Sequence, residues 1–385
     1  MTLTAAIVTR IGDLPQAEWN ALDPTGHPFT RHEFLDALET TGRVDGDTGW
    51  SPHHLAVRDA TGTLVAAVPQ YLKAHSWGEF VFDWAWAQGY ARAGIEYYPK
   101  LLSAVPFTPV TGPRLLVAAG AEATELRGAL ADLLIESART SKASGAHVNF
   151  TLADDQAALE RAGFMRRHDC RFLWRNRGYR DFEDFLAAFR ADKRKKVRRE
   201  RRRVAESGIE LRTLPGESIE PALWRVIFGF SERTFLLHGN DHYLSVEFLS
   251  QVSQRMPGSV IVKLAVRAGA PVAAAIFFAD SQNLYGRYWG CAQPEDSLHF
   301  EACYYQGIDY CIEHGLQSFD PGTQGEHKIA RGFEPTRTHS AHWLAHPGFA
   351  DAVERYLERE RTAVDEYIAA TSAHLPFARD GSATP

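Results

Sequence analysis

The sequence is poor in cysteine and lacks long apolar runs and common metal-binding motifs. Its four cysteines among 385 residues form no CxxC pair, which argues against a disulfide framework or a zinc ribbon. None of its 16 histidines lies in an HExxH motif, and no metal site is expected. No run of about 18 apolar residues occurs, so no transmembrane helix is predicted. The first residues predict a strand instead of a signal peptide, so we expect a cytoplasmic protein with reduced thiols.

Positive charge is concentrated in one segment of an otherwise acidic chain. The formal net charge is −6, yet residues 190–203 include ten Lys and Arg residues and only two acidic ones. This segment is predicted to lie in one continuous helix, 181–206, which is either a solvated strut between domains or a surface for a polyanion. Because the helix contains few acids of its own, a polyanion is favoured. Phosphate contacts are then expected from Lys193, Arg194, Lys195, Lys196, Arg198, Arg199, Arg201, Arg202 and Arg203.

Two parts of the sequence correspond in order and spacing. Leu55-Ala-Val-Arg58 recurs as Leu264-Ala-Val-Arg267, and each tetrapeptide precedes a turn and an apolar strand. Further on, segments 145–164 and 315–333 both begin with Gly and end with Gly-Phe. Matched order with matched spacing predicts two copies of one α/β unit, each a mixed sheet flanked by helices.

The duplication predicts the domain organisation. The expected parts are a first domain 1–178, a basic interdomain helix 179–207, a second domain 208–346, a C-terminal helix 347–371 and a tail 372–385 with disorder from 378. Each copy should end in a Gly-Phe helix stop and a final hairpin, at 166–175 and 337–345. An insertion at 77–113 in the first copy is either a lid over a site or an extra packing layer. Lys100 and Arg114 favour the wall of a pocket.

Ionisable side chains are densest after the long helix of the second copy. Asp320, Glu326, His327, Lys328 and Arg331 lie within twelve residues, between a predicted strand and a short helix. Such loops suit function because free backbone N–H groups bind anions and the scaffold holds side chains rigidly. The alternative is a turn with solvated charges, closed by a glycine helix stop.

Several motifs resemble the FemAB-like, peptidoglycan biosynthesis branch of the GNAT acyltransferases. They are His27-Pro-Phe-Thr, Val68-Pro-Gln-Tyr-Leu-Lys73, Pro106-Phe-Thr-Pro-Val-Thr-Gly-Pro-Arg114, Leu298-His-Phe-Glu-Ala-Cys-Tyr-Tyr305 and Gly325-Glu-His-Lys-Ile-Ala-Arg-Gly-Phe333. The resemblance covers about residues 27–345 and extends to the Fem aminoacyl-tRNA-dependent peptidoglycan-bridge transferases. It implies tandem GNAT-like domains and transfer of an acyl or aminoacyl group to an amine, such as a peptide or cell-wall precursor.

For this reaction the predicted catalytic residues are Glu326, His327 and Asp320, any of which can act as general base. Lys328 and Arg331 suit a phosphate or a carboxylate. Glu301 either contacts substrate or complements a helix dipole. The other substrate contacts are expected from Gln324, Gly325, Trp289, Tyr304, Tyr97, Tyr98, Lys100 and Arg114.

Aminoacyl-tRNA is the expected donor, with the basic helix on its phosphates, and no further cofactor is expected. Acyl-CoA is the alternative donor. GNAT enzymes hold the pyrophosphate of acyl-CoA with an Arg/Gln-x-x-Gly-x-Gly/Ala loop. Neither segment 289–298 nor segment 110–114 has this loop, so acyl-CoA is the disfavoured donor. A non-catalytic RNA-binding protein is the second alternative. A metal hydrolase built on His339 and His342 together with His346 is disfavoured because positions i and i+3 of a strand face opposite sides.

Overall fold

Strands and helices alternate along the chain in a computed structural model that describes residues 2–323 and 325–378. The strands are β1 (Thr4–Val8), β2 (Trp50–Pro52), β3 (His54–Arg58), β4 (Leu64–Val68), β5 (Gln70–Lys73), β6 (Lys100–Ser103), β7 (Leu116–Val117), β8 (Gly145–Asn149), β9 (Met165–Arg175), β10 (Ile209–Pro215), β11 (Val260–Arg267), β12 (Ala270–Ala279), β13 (Asn283–Cys291), β14 (Ser318–Asp320) and β15 (Glu334–Leu344). The α-helices are α1 (Gln16–Ala21), α2 (His32–Thr40), α3 (Trp84–Arg92), α4 (Ala123–Thr140), α5 (Ala153–Arg161), α6 (Phe182–Ala187), α7 (Ala191–Glu206), α8 (Pro221–Leu237), α9 (Val246–Arg255), α10 (Leu298–Phe300), α11 (Gln306–Glu313) and α12 (Pro347–Ser372). Short 3₁₀ helices occupy Ile11–Asp13, Gly216–Ser218 and Glu326–Arg331, and a π-helical turn occupies Glu301–Tyr305.

The chain divides into two units that are not contiguous in sequence. Unit 1 comprises Met1–Asp169 and Arg337–Glu366, and unit 2 comprises Cys170–Thr336 and Tyr367–Pro385. This division differs from the contiguous domains expected at 1–178 and 208–346. The C-terminal part of β15 pairs with β8, with Ser340 opposite Asn149, which agrees with the assignment of the chain from Arg337 to unit 1.

Unit 1 contains an antiparallel sheet in the order β1-β3-β4-β7 and a mixed sheet in which β8 pairs parallel with β6. Helix α4 contacts β4 and β8. Its Leu130 and Leu134 are fully buried in a core shared with Val68 and Val148. This spacing of four residues is that of one helix face, so α4 covers the sheet residues with a single apolar stripe.

Unit 2 contains the order β10-β11-β12-β13-β14, followed by the end of β9. Its pairs are antiparallel except for β13 and β14, which are parallel. The core includes Tyr305, Phe319 and Phe333. Helix α8 crosses β13 at Gly290, where an added Cβ would lie 2.0 Å from the backbone carbonyl carbon of Phe230. Glycine is therefore required for this helix and strand to approach each other.

The two units share an order of elements. Each has an antiparallel hairpin at the repeated Leu-Ala-Val-Arg, a long helix, a strand that pairs parallel with an earlier one, and a Gly-Phe helix stop. The glycines, Gly163 and Gly332, have φ of +93° and +87°, and the phenylalanines that follow are buried. The predicted left-handed stops and the class of mixed sheets flanked by helices are confirmed. The duplication itself stays a prediction.

Three local predictions were wrong. The final hairpins at 166–175 and 337–345 are instead the single long strands β9 and β15. The helix 181–206 is broken into α6 and α7, because Phe189 forms a β-bridge with Phe377 and packs in the core. Ala378, expected to be disordered, donates its N–H to the Ala188 carbonyl at 2.8 Å. The rest of that expected disorder, 379–385, lies outside the described residues.

The predicted first strand is β1. Across residues 2–323 and 325–378, none of the helices combines the length and the apolar character needed to cross a bilayer.

Candidate active site in unit 2

A cavity of about 530 Å³ opens in unit 2 where β13 and β14 separate. The two strands pair only between residues 283–285 and 318–320, while β13 continues to Cys291. Four consecutive residues of β13, 286–289, line the cavity. Because alternate side chains of a strand face opposite sides, this continuous lining means that the backbone edge of β13 also faces the cavity. The further lining residues are Thr234, His238, Ala275, Ile276, Phe277, His299, Cys303, Tyr304, Pro321, Gly322, Thr323, His327 and Lys328.

The separation of the strands coincides with a bulge in β13. Ile276 of β12 lies opposite Tyr288 and Phe277 lies opposite Gly286, so Arg287 is the extra residue. Bulges redirect side chains and interrupt regular pairing, and they are common beside active sites. Backbone N–H groups along such an edge can stabilise the oxyanion that forms during acyl transfer.

The helix on the opposite wall is also irregular. Between α10 and α11 the segment Glu301–Tyr305 is a π-helical turn, a feature frequent at functional sites. His299, Cys303 and Tyr304 face the cavity from this helix. Burial raises the pKa of the Cys303 thiol well above its usual range, so the thiol stays neutral.

His327 and Tyr304 form the polar centre of the cavity. The His327 Nε2 and the Tyr304 hydroxyl oxygen are 2.8 Å apart. Burial lowers the pKa of His327, and the cations of Lys328 and Arg331 lower it further, so its imidazole is neutral near pH 7. Burial raises the pKa of Tyr304, which keeps its hydroxyl protonated. The pair therefore combines a proton acceptor with a proton donor.

Lys328 lies beside this pair and is only 1% exposed. Its Nζ donates to the Gly322 carbonyl at 2.7 Å. Burial lowers its pKa to about 8, against the opposing effect of Asp320. The side chain is therefore largely cationic at pH 7, in a place where it can meet a substrate anion.

A family model described as FemAB-like, peptidoglycan biosynthesis/recognition, matches residues 10–379. The chain belongs to the FemAB-like family. Similar solved structures include FemX, at 12% identity over 89% of this chain and 98% of that one, with a TM-score of 0.56. A conserved protein of unknown function from Bacteroides thetaiotaomicron matches at 12% identity over 89% and 99%, with a TM-score of 0.53. A tandem GNAT protein from the clavulanic acid biosynthesis pathway matches at 13% identity over 90% and 99%, with a TM-score of 0.44. Among curated proteins, none matches this chain.

The likeness of the FemAB-like chain to FemX confirms the fold class predicted from the sequence. At this level of identity it shows the fold alone. The roles of individual side chains rest on the geometry of the cavity and of its surroundings.

Of the three predicted catalytic residues, the structure brings His327 to the cavity. The carboxylate of Asp320 is paired with Arg171 at 3.1 Å and accepts the Gly322 N–H at 3.0 Å. Glu326 is exposed and accepts a hydrogen bond from the Tyr367 hydroxyl at 3.0 Å. Neither carboxylate is among the lining residues, so a direct role as general base is not supported for them.

Arg331 is buried and bonded within the protein on every side. Its Nη2 donates to both carboxylate oxygens of Glu200 at 2.9 Å, its Nε to the Tyr305 hydroxyl at 3.0 Å and its Nη1 to the His327 carbonyl at 2.7 Å. The guanidinium also lies 3.4 Å over the Phe300 ring. The predicted anion site shared by Lys328 and Arg331 is therefore not formed, and Arg331 instead fixes the backbone of His327.

Only some of the other residues predicted to contact substrate in this region line the cavity. Trp289 and Tyr304 line the cavity, whereas Glu301 is buried against Arg201 at 3.1 Å. Gly325 has φ of +110°, and an added Cβ would lie 2.0 Å from the His327 ring, so glycine allows the ring its position. Gln324 lies outside the described residues.

The remaining predicted contacts belong to unit 1 and do not line this cavity. Lys100 is buried with Glu79 at 2.7 Å, with Asp83 and with the Ser76 hydroxyl. Tyr97 donates to Asp83 at 2.7 Å, and the Tyr98 hydroxyl lies 2.9 Å from that of Ser76.

Arg114 is also fully buried in unit 1, where it donates to the carbonyl oxygens of Asn149 and Val110. Within the 77–113 insertion, Trp86 and Tyr90 pack with Leu357 of α12. This part of the insertion is therefore a packing layer.

Helix α7 belongs to unit 2, and acids from other elements neutralise part of its charge. Arg198 pairs with Glu183, Arg203 with Asp296 at 2.6 Å, and Arg201 with Glu301 at 3.1 Å and Asp309 at 2.7 Å. Weaker pairs join Lys193 to Asp192, Lys196 to Glu200 and Arg202 to Glu206, and Arg194 donates to carbonyl oxygens. Counting only acids within the helix therefore overestimated its free charge.

An outward basic face nevertheless remains on α7. Val197 and Val204 are buried, and Lys195 and Arg199 are exposed on the opposite side of the helix. In the part of the chain that the structure describes, neither cation has an ion-pair partner within 4.0 Å. This face could meet a polyanion without breaking an existing pair.

Sequence reasoning missed His299, Arg287 and Tyr288. His299 lies in the quoted motif 298–305, which drew attention only to Glu301 and Tyr304. The two-residue period of a strand predicts that Trp289 and Tyr288 face opposite sides of the sheet, so only one of them is expected in a cavity. The bulge at Arg287 brings consecutive residues to the same cavity. No sequence signal marked that bulge.

Proposed function

We propose that this FemAB-like protein is an N-acyltransferase that moves an acyl or aminoacyl group to an amine, such as an amine of a peptide or cell-wall precursor. Family membership supports a transferase. The observation that carries the proposal is the pairing of His327 with Tyr304 in a cavity bounded by the open edge of β13.

The side chains support each proton transfer that the reaction needs. The neutral imidazole of His327 accepts the proton of the acceptor amine as its nitrogen attacks the acyl carbonyl carbon. Formation of the new C–N bond gives a tetrahedral intermediate, and its collapse breaks the bond between the acyl carbon and the donor oxygen. The proton then passes to the leaving oxygen, and the Tyr304 hydroxyl, 2.8 Å from Nε2, is placed to assist. Backbone N–H groups of β13 would stabilise the intermediate oxyanion.

Aminoacyl-tRNA is the donor that the surroundings favour. A pyrophosphate would normally bind at the N-terminus of the helix that follows β13. Here Glu295 and Asp296 precede that helix and pair with Arg267 and Arg203 at 2.6 Å, so these two arginines are engaged and do not offer their charge to a pyrophosphate. The exposed face of α7 supplies a surface for tRNA phosphates instead.

The test compares donors and variants in one transfer assay. Purified protein is given labelled aminoacyl-tRNA or acyl-CoA together with a peptide amine, and the labelled amide product is counted. His327→Asn should lower the rate by about 10²–10⁴-fold because it removes the base. Glu326→Gln, one residue away and outside the cavity lining, is the matched control and should retain the rate.

Transfer from acyl-CoA without transfer from aminoacyl-tRNA would contradict the proposed donor and leave the acyltransferase function in place. Transfer that His327→Asn leaves unchanged would contradict the role of His327. Tight tRNA binding with no product from any donor would contradict the function itself and favour a non-catalytic RNA-binding protein.

A further inference from the structure

The lining of the unit 2 cavity carries positive charge and no carboxylate. The described residues that line it include one lysine, Lys328, and one arginine, Arg287. None of these lining residues is Asp or Glu. Burial lowers the pKa of His299 to about 4, so this imidazole adds no charge at pH 7. A cationic substrate group entering the cavity would therefore meet like charge and no carboxylate among the described lining residues.

Two acidic residues beside β13 and β14 are engaged by other side chains. Asp320, whose negative charge raises the pKa of Lys328, is paired with Arg171 at 3.1 Å. Asp280 accepts a hydrogen bond from Tyr285 at 2.8 Å. These two carboxylates are therefore engaged outside the cavity lining.

The remaining walls are apolar or aromatic. Ile276, Phe277 and Trp289 contribute them, and the volume of about 530 Å³ lies in the range of small-molecule sites. Apolar walls with a few placed cations suit an organic acid better than a bare inorganic anion, because the carbon skeleton also gains contacts.

We propose that this cavity selects a substrate group that carries a carboxylate, with Lys328 and Arg287 as specificity-determining residues. The inference rests on the proposed acyl transfer and names the substrate class of the same site. The carboxylate can belong to the transferred acyl group, as in a glutamyl group, or to the amine acceptor. Both sources present the same chemistry to the two cations.

The experiment uses pairs that differ only in that charge. One tRNA is charged with glutamate or with glutamine, and each form is offered to the full-length protein with the same peptide amine. In a second arm the donor is constant, and the acceptor peptide ends in a carboxylate or in its amide. A charge-assisted hydrogen bond corresponds to about a 10- to 100-fold preference for the carboxylate form in one arm.

Variants connect the preference to the cavity. Arg287→Gln should reduce it severalfold or more, and Arg287→Glu should reverse it. Arg212→Gln is the matched control, because Arg212 lies on β10 in the same unit, pairs with Glu210 at 2.8 Å and is outside the cavity lining. Lys328→Gln is a second test. Because Arg287 is only half-buried, its variants do not depend on a substitution in the core.

Each outcome decides the inference. Preference in the donor arm assigns the carboxylate to the acyl group, and preference in the acceptor arm assigns it to the acceptor. Transfer that ignores the charge in both arms, or a preference that Arg287→Glu leaves unchanged, overturns the inference while the acyltransferase function stands. Absence of transfer from every donor overturns the proposed function, and the inference with it.

Discussion

Replacing Arg331 tests whether this residue holds the fold together or binds substrate. The guanidinium is 3% exposed, and its partners Glu200 and Tyr305 are also buried. Arg331→Gln removes the nearest counterion of the buried Glu200 carboxylate and leaves only Lys196, at 4.0 Å, and removal of one partner from a buried ion pair costs about 3–5 kcal/mol. For a domain of about 150–250 residues, roughly 2–4 °C is lost per kcal/mol, so the melting temperature of unit 2 should fall by roughly 6–20 °C.

The assay is a thermal unfolding scan combined with a double-mutant cycle. Glu200→Gln should destabilise in the same way, and the double variant should lose less than the sum of the two, because no uncompensated charge then remains. The exposed Arg212→Gln change should leave the melting temperature unaltered. A melting temperature unchanged in Arg331→Gln, with a raised KM for the donor, would refute the structural role and restore the substrate contact predicted from the sequence.

Three further predictions concern charge. His147 and His342 are buried with their Nδ1 atoms 2.8 Å apart, and burial lowers the pKa of His147 to about 3 and that of His342 well below 6.5, so the unfolded chain binds more protons below pH 6.5. Stability should be complete above pH 6.5 and fall as the pH drops towards 3, by up to about 1.4 kcal/mol per pH unit per histidine, and acid titration of His147→Gln should show a shallower fall. Lys328 loses its proton near pH 8, so the preference for the carboxylate substrate should weaken as the pH rises through 8, and an unchanged preference at pH 9 would contradict its role. Changing Lys195 and Arg199 to Glu should weaken tRNA binding and reduce the slope of log affinity against log salt by roughly one for each lost phosphate contact, as measured by filter binding over a salt series.

Local patterns predicted the order of elements well because they depend on residues close together in the chain. The Gly-Phe stops at Gly163 and Gly332 followed from glycine's access to positive φ. The apolar face of the basic segment, with Phe182 and Phe185, is buried as expected. The break at Phe189 was not predictable, because its cause is a β-bridge to Phe377, far away in sequence.

Charge patterns were the least reliable guide to the site. Five ionisable side chains within twelve residues were assigned one site, yet Asp320 and Arg331 are held by Arg171 and Glu200, and Glu326 is bonded to Tyr367. Sequence spacing does not reveal which of these groups will be neutralised, since the partners come from β9, α7 and α12.

The sequence alone determined the FemAB-like resemblance, the class of mixed sheets flanked by helices and the importance of the segment around His327 and Lys328. Motifs and periodicity report local conformation, and local conformation sets the elements. Tertiary structure alone decided that β15 joins unit 1 from Arg337 onwards, that Arg331 is a buried structural ion and that Arg287, Tyr288 and His299 line the cavity. Those outcomes depend on contacts between residues that are distant in sequence, because these contacts set the exposure and the charge state of each side chain.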